Sequence, residues 1–279
     1  MPPEWDVAIS LLSLGVVVAI MAWAIHRAAR VRPVDVDWLA GGPAASAVQP
    51  IYAAYLRRHW RLRTLGCLAG LTVAVVAGLN WPGDTLLSFG IGGGPMGSDL
   101  LVGALAGITL GTLAAESYRL RARRSPQPQA RLEARPSRPQ PKLTWTARAI
   151  TTAAIGLASL ATVLWHTPAA WAGALLAVAV TALAEVTQVA IIDRQRLTNN
   201  LVDAVDLRLR AFAGRSVAWL ELSGAVLGFG WCVSALDPAN DVVGVTMGTT
   251  IAICLVVAVV ALLRSSGRAP RGWQPLVAA

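Results

Sequence analysis

Three carboxylates in apolar surroundings are the side chains of this sequence best suited to do chemistry. Glu116, Glu185 and Glu221 each lie within or at the end of a long apolar stretch. An ionisable group inside a membrane costs energy, about 2.5–3.5 kcal/mol for aspartate on insertion scales, so such residues usually have a role. Carboxylates can bind a cation or carry a proton. We therefore treat these three as candidates for ion or proton coupling.

A structural role for the same residues is equally open. At a rise of about 1.5 Å per residue, Glu185 and Glu221 would lie only about 10 Å and 6 Å from the inner ends of their spans. From there they could reach the nearby Arg194 and Arg215. Each carboxylate would then tie one helix to another instead of moving an ion.

The elements that position these residues are apolar segments long enough to cross a membrane. A helix needs about 20 mainly apolar residues to cross a hydrocarbon core of about 30 Å. Hydrophobic residues make up 55% of the chain. Seven spans are predicted: 7–25, 62–80, 99–118, 149–165, 169–192, 217–236 and 242–263. The predicted fold is all-α, a polytopic transmembrane helical bundle that forms a single transmembrane domain over residues 1–279.

The distribution of charge predicts the orientation of the bundle. All 24 Arg and Lys residues fall in segments on one side of the seven spans, and the segments on the other side carry only acids. Basic residues accumulate in cytoplasmic loops, so the amino terminus is predicted outside and the carboxy terminus in the cytoplasm. The basic face should attract anionic lipid headgroups. Nucleic acid is not expected as a partner, since no folded soluble module is predicted to carry that face.

Three cytoplasmic segments have different predicted characters. Residues 46–63 and 199–213 have apolar side chains at helical spacing with Arg between them, which is typical of amphipathic helices that lie on lipid or dock a protein partner. Both alternatives stay open. Residues 121–143 are rich in Arg and Pro and contain no aromatic side chain, so a disordered linker is predicted there.

Glycines at four-residue spacing indicate close helix packing. Gly103, Gly107 and Gly111 repeat in the third span, and Gly224 and Gly228 repeat in the sixth. Small residues at this spacing let helix backbones approach each other in lipid. The pattern predicts a compact bundle or a homo-oligomer that forms across the third span.

No motif in the sequence indicates catalysis, a cofactor or a metal. The three histidines, His26, His59 and His166, have no second ligand at i+3 or i+4, so no metal site is expected. The three cysteines all fall within predicted spans and are expected to pack as small apolar residues. We therefore expect no enzymatic activity and no cofactor.

Three short stretches carry a resemblance to other sequences. Trp38-Leu-Ala-Gly-Gly-Pro43, Tyr52-Ala-Ala-Tyr-Leu-Arg-Arg-His59 and Asn200-Leu-Val-Asp-Ala-Val-Asp-Leu-Arg208 resemble parts of uncharacterised actinobacterial multi-pass membrane proteins. The use of one Lys against 23 Arg is typical of a bacterium with G+C-rich DNA. The resemblance implies a place in the bacterial cytoplasmic (inner) membrane, and it implies no activity.

Two functions follow as hypotheses. The first is a non-enzymatic membrane subunit of a larger assembly, for example an ATP-driven transport system, with a cytoplasmic or membrane protein as its partner. The alternative is a secondary transporter coupled to a cation or a proton through Glu116, Glu185 and Glu221.

Overall fold

The computed structural model describes residues 30–80, 95–118, 140–166, 170–192, 200–236, 241–270 and 272–273. These residues form seven α-helices and no strand. The helices are α1 (Pro33–Ala40), α2 (Gln49–Asn80), α3 (Pro95–Tyr118), α4 (Pro141–Trp165), α5 (Ala170–Ile192), α6 (Asn200–Ser234) and α7 (Asp241–Arg264). The all-α prediction is thereby confirmed.

Four helices of the described part are long and apolar enough to cross a membrane. Their apolar segments are Pro141–Leu164, Ala170–Ile192, Val205–Ser234 and Asp241–Arg264. They contain most of the fourth to seventh predicted spans. A shorter apolar segment, Val102–Ser117, lies within α3. By length and composition, these four helices are compatible with a membrane protein.

Some predicted segments lie partly or wholly outside the described residues. The first predicted span, 7–25, is outside them, and so is most of the predicted linker 121–143. The last three residues of that linker are helical, because α4 begins at Pro141. Proline is favoured in the first turn of a helix, where a backbone N–H would have no partner.

The helix α6 lies at the centre of the bundle. It packs against α3, α4, α5 and α7. Most of its apolar stretch is buried, whereas most of the apolar stretches of α4, α5 and α7 face outward. Large side chains such as Val163, Val186 and Val245 are more than 60% exposed. Outward-facing apolar surface of this kind suits contact with lipid chains, and it leaves α6 as the packing core.

Two helices are too long to lie wholly within a membrane. At about 1.5 Å per residue, the 32 residues of α2 span about 48 Å and the 35 residues of α6 about 52 Å. Each exceeds a hydrocarbon core of about 30 Å. The amphipathic segments 46–63 and 199–213 are therefore largely the first turns of α2 and α6, not separate surface helices.

The first turns of α2 and α6 pack on each other and on α1. We call this unit the cap: α1, residues 49–63 of α2, residues 200–216 of α6 and residues 265–269. Its buried core consists of Val36, Leu39, Tyr52, Tyr55, Leu56, Trp60, Val205, Leu209 and Phe212. The apolar side chains that these two segments contribute to this core are thus covered by the chain itself.

The segment that follows α7 closes the cap. The indole N–H of Trp60 donates to the carbonyl of Ser266 at 2.7 Å. The backbone N–H of Ala269 donates to the carboxylate of Asp35 in α1 at 2.9 Å. Asp35 is 5% exposed and also accepts the N–H of Arg32 at 3.4 Å. Buried carboxylates require such donors, so Asp35 fixes the path of the chain after α7.

Burial in the cap changes the ionisation of a phenol. Burial raises the pKa of Tyr52, and the positive charge of Arg208 partly offsets this by lowering the pKa. Arg208 also lies over Gly41, where φ is +75° and a Cβ atom would collide with the guanidinium group. Glycine is favoured at Gly41 on both grounds. The contacts join the end of α1 to α6.

Candidate functional site

Glu116 lies near the end of α3 and is bonded to two side chains of α2. Its Oε1 accepts a hydrogen bond from the Tyr55 hydroxyl at 2.6 Å and lies 3.1 Å from Nδ1 of His59. The carboxylate accepts, so Nδ1 carries a proton and donates. Glu116 is 3% exposed and His59 is 1% exposed. Charge-assisted bonds of this length are strong, and here they link α3 to the cap.

Aromatic rings surround the His59 imidazole. The Tyr55 ring stacks on it with centroids 6.0 Å apart, and the Phe212 ring of α6 meets it edge to face at 5.9 Å. These contacts hold the ring with Nδ1 toward Glu116. The second nitrogen, Nε2, is buried and has no hydrogen-bonding partner among the described residues. Unpaired buried polar atoms are uncommon and point to a ligand or to water.

A pocket of about 280 Å³ opens beside this pair. The helix α2 contributes Ile51, Tyr55, Arg58 and His59 to its wall, and α3 contributes Glu116. The pocket therefore combines one guanidinium, one imidazole and one carboxylate on apolar walls. His59 and Glu116 are the types of residue that ligate metals, but no group of three such residues exists in the part of the chain that the structure describes.

Glu221 lies on the central helix α6 and is fully buried. Its Oε2 accepts a hydrogen bond from the Gln188 amide of α5 at 3.3 Å. Gln188 is 2% exposed, and its Oε1 has no partner among the residues described. Two polar side chains thus face each other between α5 and α6 in the buried part of the bundle. The partner named from the sequence, Arg215, is exposed on the same helix.

Glu185 forms an ion pair with Arg148, which joins α5 to α4. This ion pair is less enclosed than the contacts of Glu116 and Glu221, because Glu185 is 24% and Arg148 41% exposed. Thr151 and Thr181 share a hydrogen bond of 3.0 Å between the same two helices. Arg194, the partner suggested by the sequence, lies outside the described residues. Each of the three candidate carboxylates is therefore bonded to a different neighbouring helix.

The glycines of α3 lie directly against glycines of α2. A Cβ atom at Gly103 would be 2.6 Å from the carbonyl oxygen of Gly70, and one at Gly107 would collide with the carbonyl of Gly66. Gly111 lies against Leu62 and Gly66 in the same way. The two backbones are in contact along three turns, so this face of α3 is occupied by a helix of the same chain.

A second backbone contact joins α5 to α6. A Cβ atom at Gly228 would lie 2.5 Å from the carbonyl oxygen of Gly173 and 2.7 Å from Cβ of Ala177. Gly224 lies against the side chain of Val180. These glycines bring α5 close enough for Gln188 to reach Glu221.

No protein-family model matches the chain, and neither a curated protein nor a solved structure matches it. The function must therefore be argued from the residues described above.

Several partners in these pairs could not be assigned from sequence alone. His59 stood alone as a potential metal ligand, and its partner Glu116 is 57 residues away in the chain. One local signal was available, because Tyr55 and His59 are four residues apart and so share a helix face. No comparable spacing in the sequence indicated that Gln188 would bond to Glu221 or that Arg148 would pair with Glu185.

Proposed function

We propose that the chain crosses the cytoplasmic membrane of a bacterium seven times, with its amino terminus outside and its carboxy terminus in the cytoplasm. The one-sided distribution of the 24 basic residues supports this orientation. With this orientation the cap lies on the cytoplasmic side at the level of the headgroups. Anionic lipids would then lie next to its exposed arginines.

The function that the geometry favours best is that of a non-enzymatic membrane subunit that binds a protein partner in the cytoplasm. The observation that carries it is the continuous helix α6. It has Val205, Leu209 and Phe212 in the core of the cap and its apolar stretch in the centre of the bundle. The helix α6 thereby joins the cap, a folded surface outside the membrane, to the centre of the helical bundle. An assembly with an ATP-driven transport partner requires such a connection.

The exposed surface of the cap indicates an acidic partner. Arg57 and Arg61 are both exposed and lie four residues apart on α2, so they share one face. The apolar faces of α2 and α6 are already covered, which leaves this basic face for docking. Charge complementarity of this type mainly sets the association rate and the specificity.

A charge reversal tests the docking surface. Replacing Arg57 and Arg61 together by Glu should lower recovery of the partner by about tenfold or more, because like charges would then meet across the interface. The measurement is affinity purification from native membranes in mild detergent, with the co-purifying proteins quantified by mass spectrometry. Arg264→Glu serves as the control, since Arg264 is exposed at the end of α7, outside the cap.

Two results would contradict the assembly proposal. One is a protein that co-purifies with no other protein in stoichiometric amount. The other is equal loss of the partner in the control and in the double variant. Deletion of residues 199–213 is not a suitable test, because it would remove part of the core of the cap.

A second candidate function is transport coupled to a cation or a proton. The observation that favours it is the fully buried Glu221 beside Gln188, since buried carboxylates inside spans often form such coupling sites. Glu185 and Glu116 would then lie on the route from the cytoplasm.

Replacement by glutamine tests this candidate. Glu221→Gln and Glu185→Gln should each abolish flux into liposomes, because the amide keeps the size of the side chain and removes its charge and its exchangeable proton. The measurement is quenching of a pH-sensitive dye under imposed proton, sodium or potassium gradients. Ser223→Ala, one turn or less from Glu221, is the matched control. Normal flux in both glutamine variants would eliminate this function.

A further inference from the structure

The pocket between α2 and α3 has a hydrogen-bonding group that the rest of the described structure does not use. Nε2 of His59 is buried, and no side chain or backbone group of the described residues bonds to it. The imidazole is 1% exposed and lines the pocket together with Arg58. A built site therefore exists beside a cavity of about 280 Å³.

We propose that this pocket binds a phosphate group, with His59 in its protonated form and Arg58 as the two donors. Glu116 accepts the Nδ1 proton, so a proton on Nε2 would make the ring a cation held against a carboxylate. The protonated Nε2 then needs an acceptor, and an oxyanion in the pocket supplies one. Guanidinium and imidazolium groups are strong donors to phosphate oxygens.

The balance of charge agrees with an anion. Arg58, Glu116 and a protonated His59 together carry one net positive charge. The exposed Arg57 and Arg61 lie on the same helix and add to the local positive field. A cation would instead meet a carboxylate whose Oε1 is already bonded to Tyr55 and His59. The anionic ligand is therefore favoured over the cationic one.

Side chains from three helices face His59. The helix α2 presents Tyr55 and Arg58, α3 presents Glu116, and α6 presents the uncharged ring of Phe212. The α6 part of the cap also carries the ion pair of Asp206 with Arg210, at 2.6 Å.

Two sources could supply the phosphate group. One is the headgroup of an anionic lipid, which would reach the pocket if the orientation under Proposed function is correct. The other is free phosphate or a soluble phosphate ester from the cytoplasm. The chemistry of recognition is the same for both, and binding by the purified protein does not depend on orientation or on a partner.

Calorimetric titration of the full chain in maltoside micelles tests the proposal. The probes are inorganic phosphate and, separately, phosphatidylglycerol in mixed micelles, with zwitterionic phosphatidylcholine as the comparison of zero net charge. Arg58→Gln and His59→Phe should each weaken binding by about tenfold or more, because each removes a charged donor.

The control is Arg57→Gln, which removes the same charge from the exposed position next to Arg58. It should weaken binding by less than about threefold, since a solvated charge contributes little. Binding of phosphatidylglycerol alone assigns the lipid source, and binding of inorganic phosphate assigns the soluble one. Absence of binding by both probes overturns the proposal. Equal losses of affinity in Arg57→Gln and Arg58→Gln also overturn the proposal, because they would show that the anion is attracted non-specifically by surface charge.

Discussion

Replacing Gly107 by leucine is expected to separate α2 from α3 and to destabilise the bundle. The backbone of Gly66 occupies the space where the new side chain must go, and a backbone cannot move aside as a flexible side chain can. Overpacking usually costs about 1–3 kcal/mol, and this contact should reach the upper end of that range. The measurement is thermal unfolding of the purified protein in detergent, followed by size-exclusion chromatography.

Gly248→Leu is the matched control for this prediction. Gly248 lies in α7, and a Cβ atom there would meet no other atom within 4 Å. The two variants make the same chemical change in two apolar helices. Leucine raises helix propensity over glycine at both positions, so a difference in stability between the variants reflects packing. Equal unfolding temperatures for Gly107→Leu and the unchanged protein would contradict the close packing of α2 and α3.

Replacing Phe212 by alanine is expected to open the cap while leaving the membrane part folded. The Phe212 ring contacts the rings of Trp38, Tyr55 and His59 edge to face, and it lies against Gly267 behind α7. Loss of a buried phenylalanine usually costs about 3–5 kcal/mol. Here it would remove a side chain that contacts α1, α2 and the segment after α7 together.

Hydrogen exchange measured by mass spectrometry shows where this loss acts. Amides of residues 33–40 and 49–60 should exchange faster in Phe212→Ala, whereas those of α5 and α7 should not change. Leu207→Ala provides the control on the same helix. Leu207 is 51% exposed, so its replacement should change the free energy of unfolding by no more than about 0.5 kcal/mol. Unchanged exchange across the cap would show that its parts are held together by other contacts.

The apolar helices could be predicted closely because length and hydropathy are local properties. The spans 169–192 and 242–263 agree with α5 and α7 to within a residue or two. The helix α4 begins at Pro141, eight residues before the predicted span 149–165. Charges mark the edge of a membrane but do not end a helix, and Pro141 sets the actual start.

The cap could not be predicted because its contacts join distant parts of the chain. The spacing of apolar residues in 46–63 predicted a helix with one apolar face, but not what would cover that face. The same pattern fits lipid, a partner protein or another helix of the same chain. Likewise, the three carboxylates were identified from their apolar surroundings, whereas the partners Tyr55 and Gln188 depend on how the helices pack. Tertiary contacts of this type carry no local signal.

The closing contacts of the cap have a consequence for how the protein is made. Residues 36 and 52–60 leave the ribosome early, but Ser266 and Ala269, which bond to Trp60 and Asp35, emerge only after α7. Chains fold from the amino terminus as they are synthesised. Until these residues have been made, Trp60 and Asp35 therefore lack these two partners, although α6 already covers part of the apolar faces of α1 and α2. A chain that stalls before Ser266 would leave the cap unclosed and more accessible to chaperones and proteases, so the closed cap marks a chain that has been synthesised past α7.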